Sequence, residues 1–291
     1  MKFREFLLGL IAMALAACTT PPTSNNPQAD APTPGLPGPP NIGSGQPSTG
    51  TPVIRAESAI VIDMVSGRIL YEKNARSQRA VASTQKLLTA LVAIRSGSLK
   101  DPVTIAQSDT LVEPSKLYVK AGETYTREAL VKALLVKSGN DIALSLARDI
   151  SGSKEAFAAR MNSTARSLGM NQSNFVNPHG LTEPGQYSTA LDIAILAREV
   201  QKQPFLRDCM RTKSYTFTYA DGRTRLLKNT NKVLTQLPYC TGMKTGTTNA
   251  SGRCLVSSGI YNGKGVIAVV LKSNSANVWT DSEKLLRWAL E

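Results

Sequence analysis

The sequence predicts an α+β fold: an antiparallel sheet of about five strands taken from both ends of the folded region and flanked by helices, with a mostly helical second lobe. Three observations carry this. Two strand-like runs open the region, apolar residues at helical spacing dominate its middle, and strand-like runs with hairpin turns fill its last quarter.

Taken in order, Ser58 to Asp63 alternates as a strand, Val65-Ser66-Gly67 turns the chain, and Arg68 to Lys73 returns. A helix follows from Ser83, because Leu87, Leu88, Leu91, Val92 and Ile94 recur mostly at helical spacing among good helix formers. Val103 to Ala106 and Lys116 to Lys120 read as minor strands. Thr126 to Lys137 is a helix with Thr126 as its N-cap. Ser138-Gly139-Asn140 breaks it, and Asp141 to Ile150 resumes. Ser153 to Leu168 is closed by Gly169, and Thr189 to Gln201 is stopped by Pro204. Ser214 to Tyr219 and Thr224 to Lys228 form a hairpin across Ala220-Asp221-Gly222-Arg223. Gly242 to Thr247 is a strand, Arg253 to Ile260 and Val266 to Ser273 flank a turn at Tyr261 to Gly265, and Ser282 to Leu290 closes as a helix.

The beginning of the chain has a different character. Lys2 and Arg4 precede an apolar run from Phe6 to Ala17 that is too short to span a bilayer and reads as an export signal. Leu15-Ala16-Ala17-Cys18 resembles a bacterial lipobox, which implies lipid on Cys18 and a membrane anchor. Residues 19–55 are rich in Pro, Gly, Ser and Thr and read as a disordered tether. The folded domain is expected over residues 56–291, long enough for a sizeable core.

A formal charge of +13, from 34 Lys and Arg against 21 Asp and Glu, would ordinarily raise nucleic acid as a partner. The export signal argues against it and leaves wall polymers, lipid headgroups and carboxylate-ended peptides as the available anions. If Cys18 takes lipid, Cys209, Cys240 and Cys254 remain, and an odd number cannot all pair. Cys254 reads as a buried strand thiol, so a disulfide, if one forms, is expected between Cys209 and Cys240. A single histidine and no paired cysteine motif offer no zinc site.

Three motifs carry chemistry. Ser83 and Lys86 lie three residues apart at a helix start, so a hydroxyl and an amine share one face beside free backbone N–H groups. That suits a nucleophile, its base and part of an oxyanion hole. Ser151-Gly152-Ser153-Lys154 has the same spacing. Ser138-Gly139-Asn140 can point a hydroxyl and an amide into a cleft, although Ser24 to Asn26 and Ser275 to Asn277 also fit that pattern. Lys244-Thr245-Gly246 occurs once; a strand carrying lysine and threonine on its edge, with a glycine for close approach, can present a cation and a backbone donor to a carboxylate.

In this order and context the motifs resemble those of the penicillin-binding protein and serine β-lactamase superfamily. The longer stretches Ser83 to Thr89, Ser138 to Asp141, Asn177-Pro178-His179-Gly180-Leu181 and Met243 to Thr248 resemble the low-molecular-mass D-alanyl-D-alanine carboxypeptidases, S11-type serine peptidases. The order also sets Ser151 aside, since it follows the Ser138 motif. The resemblance implies a β-lactamase/transpeptidase-like fold and acyl transfer on peptidoglycan stems ending in D-Ala-D-Ala, with no cofactor and β-lactams as inhibitors. By it, Ser83 is the nucleophile and Lys86 its base, made neutral by desolvation and by Lys244. Ser138 relays the proton, Asn140 orients Lys86 and the substrate amide, and Lys244 and Thr245 hold the terminal carboxylate, with Gly246 in the substrate-binding strand for close approach. The backbone N–H groups of Ser83 and Thr247 form the oxyanion hole.

His179 invites a Ser–His reading, but Lys86 already supplies a base and the Asn-Pro-His-Gly-Leu context reads as structural. The second β-rich domain and C-terminal membrane helix of many relatives are expected to be absent, with the Cys18 lipid as anchor. No stretch resembles the deacylating glutamate loop of class A β-lactamases. The readings in play are a carboxypeptidase first, then a DD-endopeptidase or a β-lactamase, then an inactive wall-binding lipoprotein.

Overall fold

The computed structural model describes residues 50–291. The export segment 1–18 with Cys18, and the tether as far as residue 49, lie outside the described residues.

Strands β1 (Ser58–Asp63) and β2 (Ile69–Lys73) form the opening hairpin. The late strands are β7 (Cys240–Thr248), β8 (Gly252–Tyr261) and β9 (Lys264–Ser273). Together they make one antiparallel sheet in the order β2-β1-β9-β8-β7, so the first strand of the described residues is zipped onto the last. Val61 lies opposite Ala268 and Ile62 opposite Ile267. The run from Val266 to Leu271 is buried on both faces, which is why it reads as continuously apolar rather than alternating.

Two cores follow from this two-sided sheet. Ile60, Ile62, Val256, Ile267, Val269 and Leu271 face the helical lobe. Ala59, Val61, Leu255, Ala268 and Val270 face the opposite side, covered by α8 (Asn277–Leu290) and by Ile54. Ile54, placed by the sequence at the end of the tether, is thus already core. The chain is clasped next to it, where the Asp281 carboxylate accepts from Arg55 N at 3.1 Å and Ala56 N at 2.8 Å.

The helical lobe comprises α1 (Lys86–Ile94), α2 (Arg127–Lys137), α3 (Asn140–Ser151), α4 (Lys154–Ser167), α5 (Ala190–Gln201) and α6 (Pro204–Arg211). Thr126, Ser153 and Thr189 cap their helices through side-chain oxygens, as Ser/Thr residues ahead of apolar runs should. Short strands β3 (Pro102–Thr104) and β4 (Thr124–Thr126) pair within this region. The hairpin β5 (Ser214–Thr218) and β6 (Thr224–Lys228) packs Phe217 against Tyr125, and α7 (Val233–Gln236) leads back to the sheet.

Three expectations are corrected. Residues 116–120 are not a strand; the pattern comes from burying Leu117 and Val119, while the Leu117 and Tyr118 amides are spent on the Asp141 carboxylate. Pro204 does not merely end α5 but begins α6, where its missing N–H costs nothing at the first turn. The disulfide between Cys209 and Cys240 is absent: both are free and buried. Cys209 packs in the core facing the helices and Cys240 in the core on the other face of the sheet. Cys254 is the buried strand thiol expected.

Candidate active site

Ser83 lies in a 3-10 turn, Ala82–Gln85, that leads directly into α1. The turn is fixed from outside. Ala82 has a φ of 48°, unusual for a residue with a side chain, and Thr84 Oγ1 donates to Val81 O at 2.7 Å. Gln85 Nε2 donates to Asn177 O at 2.6 Å and Thr89 Oγ1 to Pro178 O at 2.6 Å, locking α1 to the Asn177–Leu181 loop. That loop is held by Asn177, whose Oδ1 accepts from the N–H groups of His179 and Gly180.

Lys86 is fully buried, and its Nζ lies 2.8 Å from Ser83 Oγ, 2.6 Å from Asn140 Oδ1 and 2.6 Å from His179 O. Asn140 Nδ2 donates to Glu113 O at 2.8 Å, which fixes its Oδ1 toward the lysine. Burial first, then the Lys244 charge, holds the Lys86 pKa well below the usual lysine value, with Asp141 opposing. A neutral amine has two N–H groups and one lone pair. Asn140 Oδ1 and His179 O are acceptors only and consume both N–H groups. In that neutral form the lone pair is left for the Ser83 hydroxyl, whose other acceptor is His179 O at 3.3 Å, and this is the arrangement that proton abstraction requires.

Ser138 closes α2 in a left-handed conformation, φ 70°, so its hydroxyl leaves the helix and meets the late sheet. Lys244 Nζ donates to Ser138 Oγ at 2.8 Å and to Thr245 O at 3.0 Å. Lys244 is fully buried and desolvation brings its pKa down to about 7. Its cation is thus turned inward onto Ser138. Gly246 passes so close to the Ser83 turn that an added Cβ would lie 2.9 Å from Ser83 N, bringing β7 against the nucleophile. Thr245 Oγ1 shares a hydrogen bond with Thr230 Oγ1 at 2.6 Å.

The structure thus gathers two hydrogen-bonded sets, Ser83–Lys86–Asn140 and Ser138–Lys244, close enough that the Lys244 charge acts on Lys86, with Thr245, Gly246 and Thr247 following on β7. Cys18 lies outside the described residues, and Ser151 ends α3, apart from both sets. The imidazole of His179 is no base for Ser83. Its Nδ1 accepts from Leu181 N at 3.2 Å, and burial, then the Lys86 charge, pushes its pKa down to about 3. The backbone carbonyl of this residue, rather than its ring, serves the site.

Sequence reasoning missed that carbonyl, which leaves no side-chain signature beyond the glycine beside it. It also missed Arg253, opposite Thr247 on β8, whose Nη1 donates to Thr247 Oγ1 at 3.0 Å and whose Nε donates to Ser275 Oγ at 3.2 Å. A basic residue nine places after Lys244 was a signal only once the hairpin register was known. Among the described residues no three His, Cys, Asp or Glu side chains gather as a metal site would need.

Comparison with known proteins agrees with this geometry. A family model described as D-alanyl-D-alanine carboxypeptidase matches residues 46–275. The D-alanyl-D-alanine carboxypeptidase DacF of Bacillus subtilis is 35% identical over 231 residues, covering 76% of this chain and 58% of its own. DacC of Escherichia coli, also named D-alanyl-D-alanine carboxypeptidase, is 33% identical over 252 residues, covering 81% and 62%. The chain therefore spans about three-fifths of the length of these curated relatives. Among solved structures, a D-alanyl-D-alanine carboxypeptidase from Mycobacterium tuberculosis superposes with a TM-score of 0.79 at 30% identity, over 84% of this chain and 95% of that one. The Streptomyces K15 DD-transpeptidase superposes with a TM-score of 0.78 at 28% identity, over 82% and 98%. With the matched region running through the nucleophile turn, the Ser138 break and the Lys244 strand, the chain belongs to the D-alanyl-D-alanine carboxypeptidase family of S11 peptidases.

Proposed function

We propose that the protein is a serine D-alanyl-D-alanine carboxypeptidase that removes the terminal D-alanine from peptidoglycan stem peptides. One observation carries the reading: Lys86 is buried, held by two obligate acceptors, and presents its remaining valence to Ser83. Ser83 Oγ attacks the penultimate carbonyl as Lys86 takes its proton. The oxyanion forms between backbone N–H groups of Ser83 and Thr247. Ser138, hydrogen-bonded to Lys244, passes a proton to the departing D-alanine nitrogen, and water then hydrolyses the ester. Thr245 and Arg253 receive the terminal carboxylate, with Lys244 contributing charge from beneath. Penicillin, with a carboxylate and a strained amide in the corresponding places, acylates the same serine.

Among the described residues no carboxylate hydrogen-bonds Ser83 or Lys86, which favours slow release of a β-lactam acyl group over β-lactamase turnover. The presence of all five polar side chains, in two hydrogen-bonded sets, speaks against an inactive wall-binding role. The test is release of D-alanine from synthetic pentapeptide by the full chain, with loss in Ser83→Ala. Rapid penicillin hydrolysis with no D-alanine released would replace this reading by a β-lactamase.

We further propose export and lipid anchoring through Cys18, with the domain held outside the cytoplasmic membrane on its tether. The support is the basic, apolar and Leu-Ala-Ala-Cys sequence of residues 2–18. Radiolabelled palmitate should enter the intact chain and not Cys18→Ala, which should be recovered soluble. Retention of the unprocessed variant in the membrane would identify a signal anchor instead.

A further inference from the structure

The nucleophile turn sits between two glycines. An added Cβ on Gly180 would lie 2.8 Å from Ser83 N, and one on Gly246 would lie 2.9 Å from the same atom. The Asn177–Leu181 loop and β7 therefore flank Ser83 at backbone contact. Just beyond these glycines the two elements meet again. Thr182 Oγ1 donates to Thr248 Oγ1 at 3.1 Å, the one hydrogen bond among the described residues that joins residues 181–187 to β7. This bridge is exposed and takes no part in the catalytic hydrogen bonds.

Both ends of the bridge are anchored. Thr248 Oγ1 donates to Ser251 Oγ at 3.0 Å and accepts from Ser251 N at 3.0 Å, while Thr248 N donates to Ser251 Oγ at 2.9 Å. With its proton given to Ser251, the Thr248 hydroxyl keeps a lone pair for Thr182, which is the donor. On the other side, Leu181 O accepts from Asn177 Nδ2 at 2.9 Å and from Gln186 Nε2 at 2.7 Å. Glu183 Oε1 accepts from Asn177 Nδ2 at 3.0 Å. Thr182 thus projects between two pinned neighbours. The bridge joins two rigid shoulders through a single neutral bond open to water, a weak link between stronger ones.

The bridge has a fixed place along the substrate. In the proposed reaction Thr245 receives the terminal carboxylate and the Thr247 N–H group the oxyanion. Running from Thr245 toward Thr248, β7 therefore passes from the leaving group to the acyl group. At about 3.3 Å per strand residue, Thr248 lies beside the start of the acyl chain, just past the scissile carbonyl. Side chains alternate along a strand, so Thr248 shares the face of Gly246, the face turned to Ser83. We infer that Thr182 is a specificity-determining residue: by holding the loop to β7, its hydroxyl limits the bulk of the acyl chain next to the scissile carbonyl. The enzyme then favours acyl groups that leave the site as a single extended chain over acyl groups crowded at that point. The inference rests on the carboxypeptidase reading for the direction of the substrate. A slender chain passes the closed bridge, whereas a crowded one must open it first.

Two penicillins with the same nucleus test this, one with a free amine in place of its acyl chain and one carrying a 2,6-dimethoxybenzoyl group. Their acylation rate constants are measured on the full chain. In Thr182→Val, which keeps the shape and loses the donor, the crowded dimethoxybenzoyl compound should gain about fivefold, the scale of one neutral hydrogen bond. The free amine, with nothing to pass the bridge, should keep its rate. Thr182→Ser, which keeps the donor, should retain the original ratio of the two. Rates that move together for both compounds, a ratio unchanged in Thr182→Val, or a Thr182→Ser variant that behaves like Thr182→Val would each overturn the proposal. D-Alanine release from pentapeptide by the unmodified chain, measured alongside, tests the carboxypeptidase reading separately.

Discussion

At Lys244 the site works against the fold. A lysine ammonium is ordinarily lost near pH 10.4, whereas here burial brings its pKa down to about 7. Between those values the unfolded chain binds more protons than the folded one, so stability rises with pH across that window; below about 7 the full penalty of burying the charge is present. Lys86 adds to this in the same direction. Lys244→Met should therefore gain about 1–4 kcal/mol at pH 7, as replacement of buried charges often does, and flatten the rise above it. Urea denaturation at pH 7 and 9.5 checks this, while penicillin acylation of the same variant should fall at least about tenfold with the loss of a charged hydrogen-bond donor. His179 works at the other end of the scale. With a pKa near 3 against an ordinary 6.5, it resists protonation when folded, and stability is lost as pH falls from about 6.5 toward 3. His179→Gln should reduce that acid loss and still be acylated by penicillin, because the site uses the carbonyl of this residue. A variant that folds normally but cannot be acylated would restore the imidazole to the chemistry.

The Asn177–Leu181 loop is the element on which the nucleophile turn rests. Gly180 has a φ of 90°, and a Cβ there would collide with the Ala82 carbonyl and lie 2.8 Å from Ser83 N. Gly180→Ala should cost at least about 2 kcal/mol and slow acylation by displacing Ser83. Gly185→Ala, at a similar φ of 79° but with its nearest neighbour 3.9 Å away, should cost only the backbone strain of about 1 kcal/mol and acylate normally. Thermal melts and penicillin labelling of the pair separate the two effects. Elements of this kind differ in how far the sequence discloses them. The late hairpin was legible because Asn262-Gly263 sits between two apolar strands, a local signal. So was the pairing of Ser83 with Lys86, which needs only helical spacing. The meeting of Lys86 with Asn140, 54 positions away, was reached only through motif order and resemblance. Residues 116–120 misled because alternating burial does not require strand pairing when a carboxylate takes the amides.

For the whole molecule, the sheet joins β1 to β9, the first and last strands of the described residues, and the Asp281 carboxylate secures the stretch before β1. It is buried and accepts backbone N–H groups from Arg55 and Ala56. Asp281→Ala should cost about 1–3 kcal/mol, the penalty of leaving buried donors unpaired, and lower the melting temperature with little change in activity per folded molecule. The site lies across the sheet from this clasp, on the face packed by helices, so the two losses should be separable. The three thiols have a further consequence for how the domain withstands its surroundings. Cys209, Cys240 and Cys254 are buried among apolar neighbours, with burial pushing their pKa values up to about 12, 11 and 11. Thiolate, the reactive form, is scarce at each, and no bond between them is needed to complete either core. Once folded, the domain should accordingly keep the same fold in a reducing or an oxidising medium, since there is no bond between these sulfurs to lose. Its tolerance of oxidants is then a property of packing alone, present from the moment the interior closes.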